Sequence, residues 1–327
     1  HLYCILRFGG AAYEQGCPSS SIPEPTGNRR IIPPAGSGHS FSLGDLQFMK
    51  VSIVLSTQQT RFQAATFSGE LESNLANIAS MGYQGVELAI RDPRLVDTDS
   101  LVHLLARQNL RVPAIGTGQA WGEEGLSFTD PDPQIRRAAI DRIKSHIPLA
   151  DRLGAIIIIG LLRGIVKPGV STASAMDWLC EAISECSREA SHHGVRLALE
   201  PINRYETTLI NTVSQGLELV KMVNAENFGL LLDTFHMNIE EGSIEQSIRT
   251  CGRRIFHFHV ADSNRWHPGA GHLDFASILQ ALAGTGYDDY VSGEFLPQPD
   301  ADTAARFNLR HLLPILAGME QETIDPQ

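Results

Sequence analysis

From residue 49 onward, the chain alternates short apolar runs with amphipathic stretches of helical length. This alternation predicts parallel strands joined by helices, because parallel neighbours need a long crossover connection. Eight runs are predicted as strands, and they cover residues 50–56, 85–90, 112–118, 155–161, 196–200, 228–233, 255–260 and 290–295. Eight helices are predicted near residues 70–81, 98–108, 133–153, 173–193, 213–224, 243–251, 274–286 and 302–317.

Eight strand and helix units predict an α/β fold of the closed (β/α)₈ type, a TIM barrel. Residues 49–327 provide 279 residues, and such a barrel typically needs about 250. The rival is a doubly wound open sheet, but the GxGxxG fingerprint is missing after the first predicted strand. We therefore predict one catalytic barrel domain over residues 49–327.

Residues 1–48 have a different composition from the rest of the chain. Gly, Pro and Ser make up 18 of these 48 residues, and no hydrophobic period persists among them. Such a segment buries too little apolar surface to offset the entropy lost on ordering. We expect a disordered extension or an artefact of the start site, with the barrel beginning at Met49.

Charge and hydropathy exclude several classes of partner. The chain carries 37 acidic and 26 basic side chains, a net charge of -11, so its field repels nucleic acid and anionic membranes. The longest apolar runs, such as residues 155–162, are far shorter than the roughly 18 residues that a membrane helix needs. The five cysteines show no metal-binding spacing. We predict a cytoplasmic protein that binds neither nucleic acid nor membrane.

Four consecutive predicted strands end in groups that can bind a metal. They are Glu200, Asp233, His259 and Glu294, separated by 33, 26 and 35 residues, each about one strand and helix unit. Barrel active sites gather at the carboxyl ends of the strands. Any one of the four has an ordinary explanation, as a helix cap or a bonded core residue. Together they predict an oxygen-rich site for Mn²⁺, Mg²⁺ or Co²⁺ rather than structural zinc.

The sequence around these strand ends resembles a known family. The segments "LEPINRYE" (199–206), "LDTFHMN" (232–238) and "SGEFLP" (292–297) resemble sugar isomerases and epimerases with a xylose isomerase-like barrel. The likeness is greatest to the ketose 3-epimerases and extends from Met49 to the C-terminus. Segments such as "AIGTGQAW" (114–121) and "NRYETTLINT" (203–212) further resemble 5-keto-L-gluconate epimerases of inositol catabolism.

The resemblance implies roles for individual residues. It implies that Glu200, Asp233, His259 and Glu294 bind a divalent ion, most often Mn²⁺, and that Glu200 and Glu294 also exchange protons with the substrate. Inversion of the carbon beside a ketone requires removal of its proton, an enediolate, and return of a proton to the opposite face. Two carboxylates can serve as base and acid in this reaction. The resemblance further implies that three residues hold substrate oxygens: Glu206, His236 and Arg265.

Two arginines bear on the choice of substrate. Arg91 and Arg163 follow the second and fourth predicted strands, so both are expected at the barrel mouth. Bidentate hydrogen bonds from guanidinium groups suit the carboxylate of a keto-aldonate. The ordinary alternative is an ion pair with Asp92, Glu123 or Glu124. We predict a keto-sugar acid of the 5-keto-L-gluconate type as the substrate.

Several other functions remain open at this point. The nearest are a neutral ketohexose 3-epimerase, acting on D-tagatose or D-psicose, and a hydroxypyruvate isomerase-like aldose-ketose isomerase. A DNA-repair endonuclease with a similar barrel would need a three-metal cluster and a basic groove, which the net charge of -11 disfavours. A sugar-binding protein without turnover is the remaining class. A homodimer or homotetramer is expected from the resemblance.

Overall fold

The computed structural model describes residues 49–58, 60 and 62–324. The extension predicted over residues 1–48 lies outside the described residues, so the boundary at residue 49 stays a prediction. Within the described part, no helix combines the length and the apolarity needed to span a bilayer.

The described strands form one parallel sheet that closes into a barrel. Strand β1 pairs with both β3 and β9, and the remaining strands pair in chain order between these two. A two-residue strand, β2, flanks β1 outside this ring. The strands are β1 (Lys50–Ser56), β2 (Phe67–Ser68), β3 (Gly85–Ala89), β4 (Ala114–Gly116), β5 (Ile156–Ile159), β6 (Leu197–Leu199), β7 (Phe228–Asp233), β8 (Ile255–Val260) and β9 (Tyr290–Gly293). The predicted eight-stranded barrel is confirmed.

Helices cover the outside of the barrel. Those in the described part are α1 (Leu71–Met81), α2 (Thr98–Arg107), α3 (Gln119–Glu124), α4 (Pro133–Leu153), α5 (Thr172–Ser191), α6 (Val213–Val223), α7 (Thr234–Glu240), α8 (Ile244–Cys251), α9 (Phe275–Ala283) and α10 (Ala301–Ile324). All eight predicted helices are present. The short helices α3 and α7 were not predicted, because six or seven residues are too few to show a helical period.

Local signals determine where the helices begin and end. Asp132 caps α4 by accepting a hydrogen bond from the backbone of Gln134, and Pro133 occupies the first helical position. Gly154 ends this helix in a left-handed conformation, with φ 66°. Helix α6 begins with a reciprocal capping box between Thr212 and Gln215. These signals explain why the predicted boundaries of the long helices agree closely with the structure.

The core has two layers that follow the alternation of side chains along each strand. In β5, Ile157 and Ile159 belong to the large cluster that includes the helix side chains. Ile156 and Ile158 instead pack with Ala198 and other side chains in a smaller cluster. Since alternate residues of a strand point to opposite faces, this smaller cluster fills the barrel interior.

A β-bulge sets the direction of the side chains in β8. Leu230 pairs with Ile255, but the next residue, Leu231, pairs with His257, so Phe256 is the extra residue. The extra residue shifts the alternation of side chains along β8 by one position. From this point His257 and His259 follow the inward alternation, and His259 becomes the direct partner of Asp233. The bulge therefore aligns two of the predicted metal ligands on neighbouring strands.

Candidate active site

Four of the predicted side chains meet at the carboxyl end of the barrel. Glu200 directly follows β6, Asp233 ends β7, His259 is in β8, and Glu294 follows β9. One potential ligand atom from each residue lies within 4.8 Å of the other three. From His259 Nδ1, the distances are 3.7 Å to Glu294 Oε2, 3.9 Å to Asp233 Oδ2 and 4.0 Å to Glu200 Oε1. We call these four residues the carboxylate cluster.

The unsatisfied atoms of the carboxylate cluster fit a divalent cation. Glu200 Oε1, Asp233 Oδ2 and His259 Nδ1 are buried and have no hydrogen-bond partner among the described residues. Buried polar atoms without partners are rare and generally have a functional explanation. Three carboxylates and one imidazole, without a thiolate, form a donor set suited to a hard cation such as Mn²⁺ or Mg²⁺.

Burial and proximity shift the proton affinities in this cluster. Burial raises the pKa of Glu200 to about 7, with His259 opposing this shift and Asp233 adding to it. Burial also raises the pKa of Glu294 well above its usual value. Burial lowers the pKa of His259, but Glu87 and Glu294 outweigh that effect and raise it well above its usual value. Without a cation the cluster therefore retains protons that cation binding must displace.

Three further predicted residues lie beside the carboxylate cluster. Arg265 Nη1 is 2.9 Å from Glu206 Oε1, and its Nη2 is 3.7 Å from Glu294 Oε2. His236 Nε2 is 3.5 Å from Glu200 Oε1. The structure thus brings Glu206, His236 and Arg265 to one end of the barrel with the cluster.

Asn203, which was not predicted, organises these polar groups. Its Nδ2 donates to Glu206 Oε1 at 3.0 Å and contacts His236 Nδ1 at 2.8 Å. Because the amide nitrogen is a donor, His236 Nδ1 accepts and Nε2 carries the ring proton. Burial, Arg265 and Arg163 all lower the pKa of His236 well below its usual value. A neutral imidazole therefore presents an N–H group toward Glu200.

The carboxylate cluster opens into a cavity of about 240 Å³. Six predicted site residues contribute to its wall: Glu200, Glu206, His236, His259, Arg265 and Glu294. The segment after β4 also contributes to the wall, through residues that include Thr117, Gln119 and Trp121. A concave site that combines apolar walls with a few convergent polar groups is typical of a small-molecule pocket.

The structure does not bring Arg91 and Arg163 to the wall of this cavity. Arg91 Nε lies 3.4 Å from Glu124 Oε1, so this arginine forms the ion pair that was the ordinary alternative. Arg163 is fully buried and donates from Nη1 to the Ile210 carbonyl at 3.2 Å. Neither side chain is among the described residues that line the cavity. Their predicted role in binding a substrate carboxylate stays a prediction.

Glu87 is a second residue that was not predicted. It lies in β3, where all five residues are buried, and it lines the cavity. Its Oε2 is 2.8 Å from His257 Nε2 and 2.9 Å from His259 Nε2. The sequence signal was a single carboxylate within an otherwise apolar strand, since such a group is rarely buried without a partner.

The chain matches the family model for a xylose isomerase-like TIM barrel over residues 75–314. It belongs to this family. In sequence, the barrel is 33% identical to an L-ribulose 3-epimerase of Mesorhizobium japonicum, over 71% of this chain and 78% of the relative. It is also 34% identical to a D-psicose 3-epimerase of Ruminiclostridium cellulolyticum, over 66% of this chain and 75% of the relative.

A solved structure agrees with these relationships. The structure of an L-ribulose 3-epimerase has a TM-score of 0.72 and 26% sequence identity, and the match covers 85% of this chain and 97% of that chain. The predicted family resemblance and the predicted enzyme class, an isomerase, are confirmed. The two relatives are named for different sugars, L-ribulose and D-psicose.

Proposed function

We propose that the protein is a divalent cation-dependent ketose 3-epimerase, which inverts the carbon next to the ketone of a keto sugar. The observation that carries this proposal is the carboxylate cluster. It holds three buried atoms without a hydrogen-bond partner among the described residues, and its residues Glu200, His259 and Glu294 line the cavity. Glu200, Asp233, His259 and Glu294 would hold the cation. When bound, the cation would polarise the ketone and stabilise the negative charge that develops on its oxygen.

Glu200 and Glu294 are proposed as the proton-transfer pair. Both carboxylates line the cavity, and they follow different strands, β6 and β9. One removes the proton from the carbon beside the ketone, and the other returns a proton to the opposite face. Burial raises the pKa of both groups. These shifts belong to the site without a cation, and a bound cation would stabilise the ionised form of both carboxylates, as the proton-removing base requires.

His236 and Arg265 are proposed to hold the substrate oxygens. The neutral His236 ring offers its Nε2 proton near Glu200, and Arg265 reaches toward Glu294. Both donors therefore lie beside the proposed proton-transfer groups. Donors fixed in advance around a developing oxyanion lower the barrier without needing to reorganise during the reaction.

The charges in the cavity favour a neutral ketose as the substrate. Among the described residues, Arg265 is the one lysine or arginine that lines the cavity, and it is already paired with Glu206. The carboxylate-bearing residues Glu87 and Glu123 also line it. An anionic sugar would meet these negative groups without an unpaired guanidinium among the described residues of the wall. D-psicose, D-tagatose and L-ribulose are therefore the first substrates to examine.

A keto-aldonate such as 5-keto-L-gluconate is the second candidate. It is favoured by Arg163, whose Nε and Nη2 are buried without a partner among the described residues. A rearranged loop that exposed this guanidinium would offer a carboxylate two donors. In that case Arg163→Ala would reduce turnover of the keto-aldonate far more than that of D-tagatose, and equal losses would reject the role of Arg163.

The test is a substrate panel followed by NMR in D₂O. Chelator-treated protein is supplied separately with Mn²⁺, Mg²⁺ and Co²⁺, and is given D-psicose, D-tagatose, L-ribulose and 5-keto-L-gluconate. The proposal predicts cation-dependent inversion, with solvent deuterium appearing at the inverted carbon. A 1,2-shift would instead indicate an aldose-ketose isomerase. Binding without deuterium incorporation on any sugar would reject an epimerase.

A further inference from the structure

Glu87 connects the two sides of the barrel interior beneath the carboxylate cluster. It lies in β3, whereas its partners His257 and His259 lie in β8, and β1 and β9 separate these two strands in the sheet. Glu87, His257 and His259 are each at most 2% exposed. A single oxygen, Glu87 Oε2, lies 2.8 Å from His257 Nε2 and 2.9 Å from His259 Nε2.

The donors and acceptors in this arrangement determine which His259 nitrogen carries the proton. An ionised carboxylate only accepts hydrogen bonds, so each Nε2 that contacts it must be an N–H donor. The other nitrogen of His259, Nδ1, then keeps its lone pair in the neutral ring. Nδ1 is the buried atom without a partner, and it faces the three carboxylates at 3.7 to 4.0 Å.

We propose that Glu87 is a positioning residue that fixes the tautomer and the ring orientation of His259, so that Nδ1 is directed at the cation. This inference rests on the proposed function, because it takes the carboxylate cluster as the cation site. His257 assists by donating a second hydrogen bond to the same oxygen. Metal-binding histidines usually donate their other ring N–H to a carboxylate or a carbonyl, and loss of that partner weakens metal binding.

A second cation between Glu87, His257 and His259 is the alternative for these three residues. The distances favour hydrogen bonds, because both Nε2 atoms lie at the ordinary N–H···O separation from one oxygen. A cation there would also require His259 to bind two metals through its two nitrogens. The hydrogen-bonded arrangement needs no such double coordination.

The first test measures cation affinity without substrate. Mn²⁺ is titrated calorimetrically into chelator-treated wild type, Glu87→Gln, Glu87→Leu and the control Tyr83→Phe. We expect Glu87→Leu to weaken binding by about 10- to 100-fold. Glu87→Gln should lose less, because its amide oxygen still accepts from His259. Tyr83→Phe removes a buried hydroxyl that donates to the Ala305 carbonyl, and it should bind Mn²⁺ as wild type does.

Wild-type affinity in Glu87→Leu would overturn the inference. An equal loss in Tyr83→Phe would also overturn it, because the effect would then be general destabilisation. A second equivalent of bound Mn²⁺ that disappears in the Glu87 variants would support the alternative cation site instead. Failure of the wild type to bind any cation would reject the proposed function and the inference together. Cation binding without epimerisation would reject the proposed function alone.

The second test observes the tautomer directly and does not depend on a folded Glu87→Leu variant. In Mg²⁺-loaded wild type labelled with ¹⁵N-histidine, two-bond ¹H–¹⁵N correlations distinguish the two nitrogens of each ring. We expect His259, assigned through His259→Gln, to carry its proton on Nε2. In Glu87→Gln the cation still keeps the proton on Nε2, but this proton should move upfield, because an amide oxygen is a weaker acceptor than the Glu87 carboxylate. An unmoved proton would count against the hydrogen bond to Glu87. A proton on Nδ1 of His259 in the wild type would refute the inference.

Discussion

The substitution Glu200→Gln should stabilise the protein when no cation is bound, although it removes a proposed catalytic group. Burial raises the pKa of Glu200 from 4.5 to about 7, and each unit of pKa corresponds to 1.36 kcal/mol. Ionised Glu200 therefore costs the folded state about 3 kcal/mol. Glutamine has nearly the same shape and cannot ionise, so the variant should not pay this penalty.

The sign of the pH dependence follows from the raised pKa. The unfolded chain loses the Glu200 proton near pH 4.5, whereas the folded chain keeps it until about pH 7. The wild type therefore becomes less stable as the pH rises through this window. The free energy of unfolding is measured with urea and circular dichroism in excess chelator. We expect Glu200→Gln to exceed wild type by about 3 kcal/mol at pH 8 and by about 1 kcal/mol or less at pH 5.

Added Mn²⁺ should reverse this order. At a thousand times its Kd, a cation that binds only the folded state stabilises it by about 4 kcal/mol. The wild type should gain this stability, whereas Glu200→Gln, which lacks one ligand, should gain little. If the variant were less stable than wild type in chelator at pH 8, the electrostatic account of the carboxylate cluster would be wrong.

Three further substitutions test other parts of the account. Asp233→Asn keeps a side-chain oxygen that accepts from the Phe235 backbone N–H, so the variant should fold normally. It should no longer bind Mn²⁺ when binding is measured by calorimetry, and retained binding would contradict the ligand role of Asp233. Arg265→Lys should lower kcat/KM on the order of 100-fold. The control Arg107→Lys, at the exposed end of helix α2, should leave it unchanged, and an equal loss in both variants would contradict the role of Arg265. Gly229→Ala places a Cβ 2.7 Å from the Arg254 carbonyl oxygen. The free energy of unfolding, measured with urea, should therefore fall by about 1–3 kcal/mol, and an unchanged value would contradict the tight packing at the bulge.

The barrel and the carboxylate cluster could be predicted because both follow from local sequence. Buried parallel strands appear as short apolar runs, and a polar residue at the end of a run must lie at the carboxyl edge of the sheet. Asp233 and Glu294 are recognisable in this way without knowledge of any contact. The predicted strand 112–118 was too long, since the structure keeps only Ala114–Gly116 before the chain turns into helix α3.

The missed features depend on contacts that a local pattern does not contain. Glu87 acquires its partners because barrel closure leaves only β1 and β9 between β3 and β8, and because the bulge at Phe256 directs His257 inward. Arg163 lies in a 3₁₀ turn, Leu161–Arg163, that follows β5 at the carboxyl end of the barrel, and its side chain is fully buried. A turn of three residues is too short to show a period, so the sequence does not predict this burial.

A stepwise Mn²⁺ titration measures whether epimerase activity requires a bound cation. Mn²⁺ is added stepwise to chelator-treated protein, and bound cation and epimerase activity on D-psicose, D-tagatose and L-ribulose are measured in the same samples. We expect activity to rise in proportion to bound Mn²⁺ and to reach its maximum at one equivalent per chain. Full activity before any cation is added, or activity that does not follow the bound cation, would contradict this expectation.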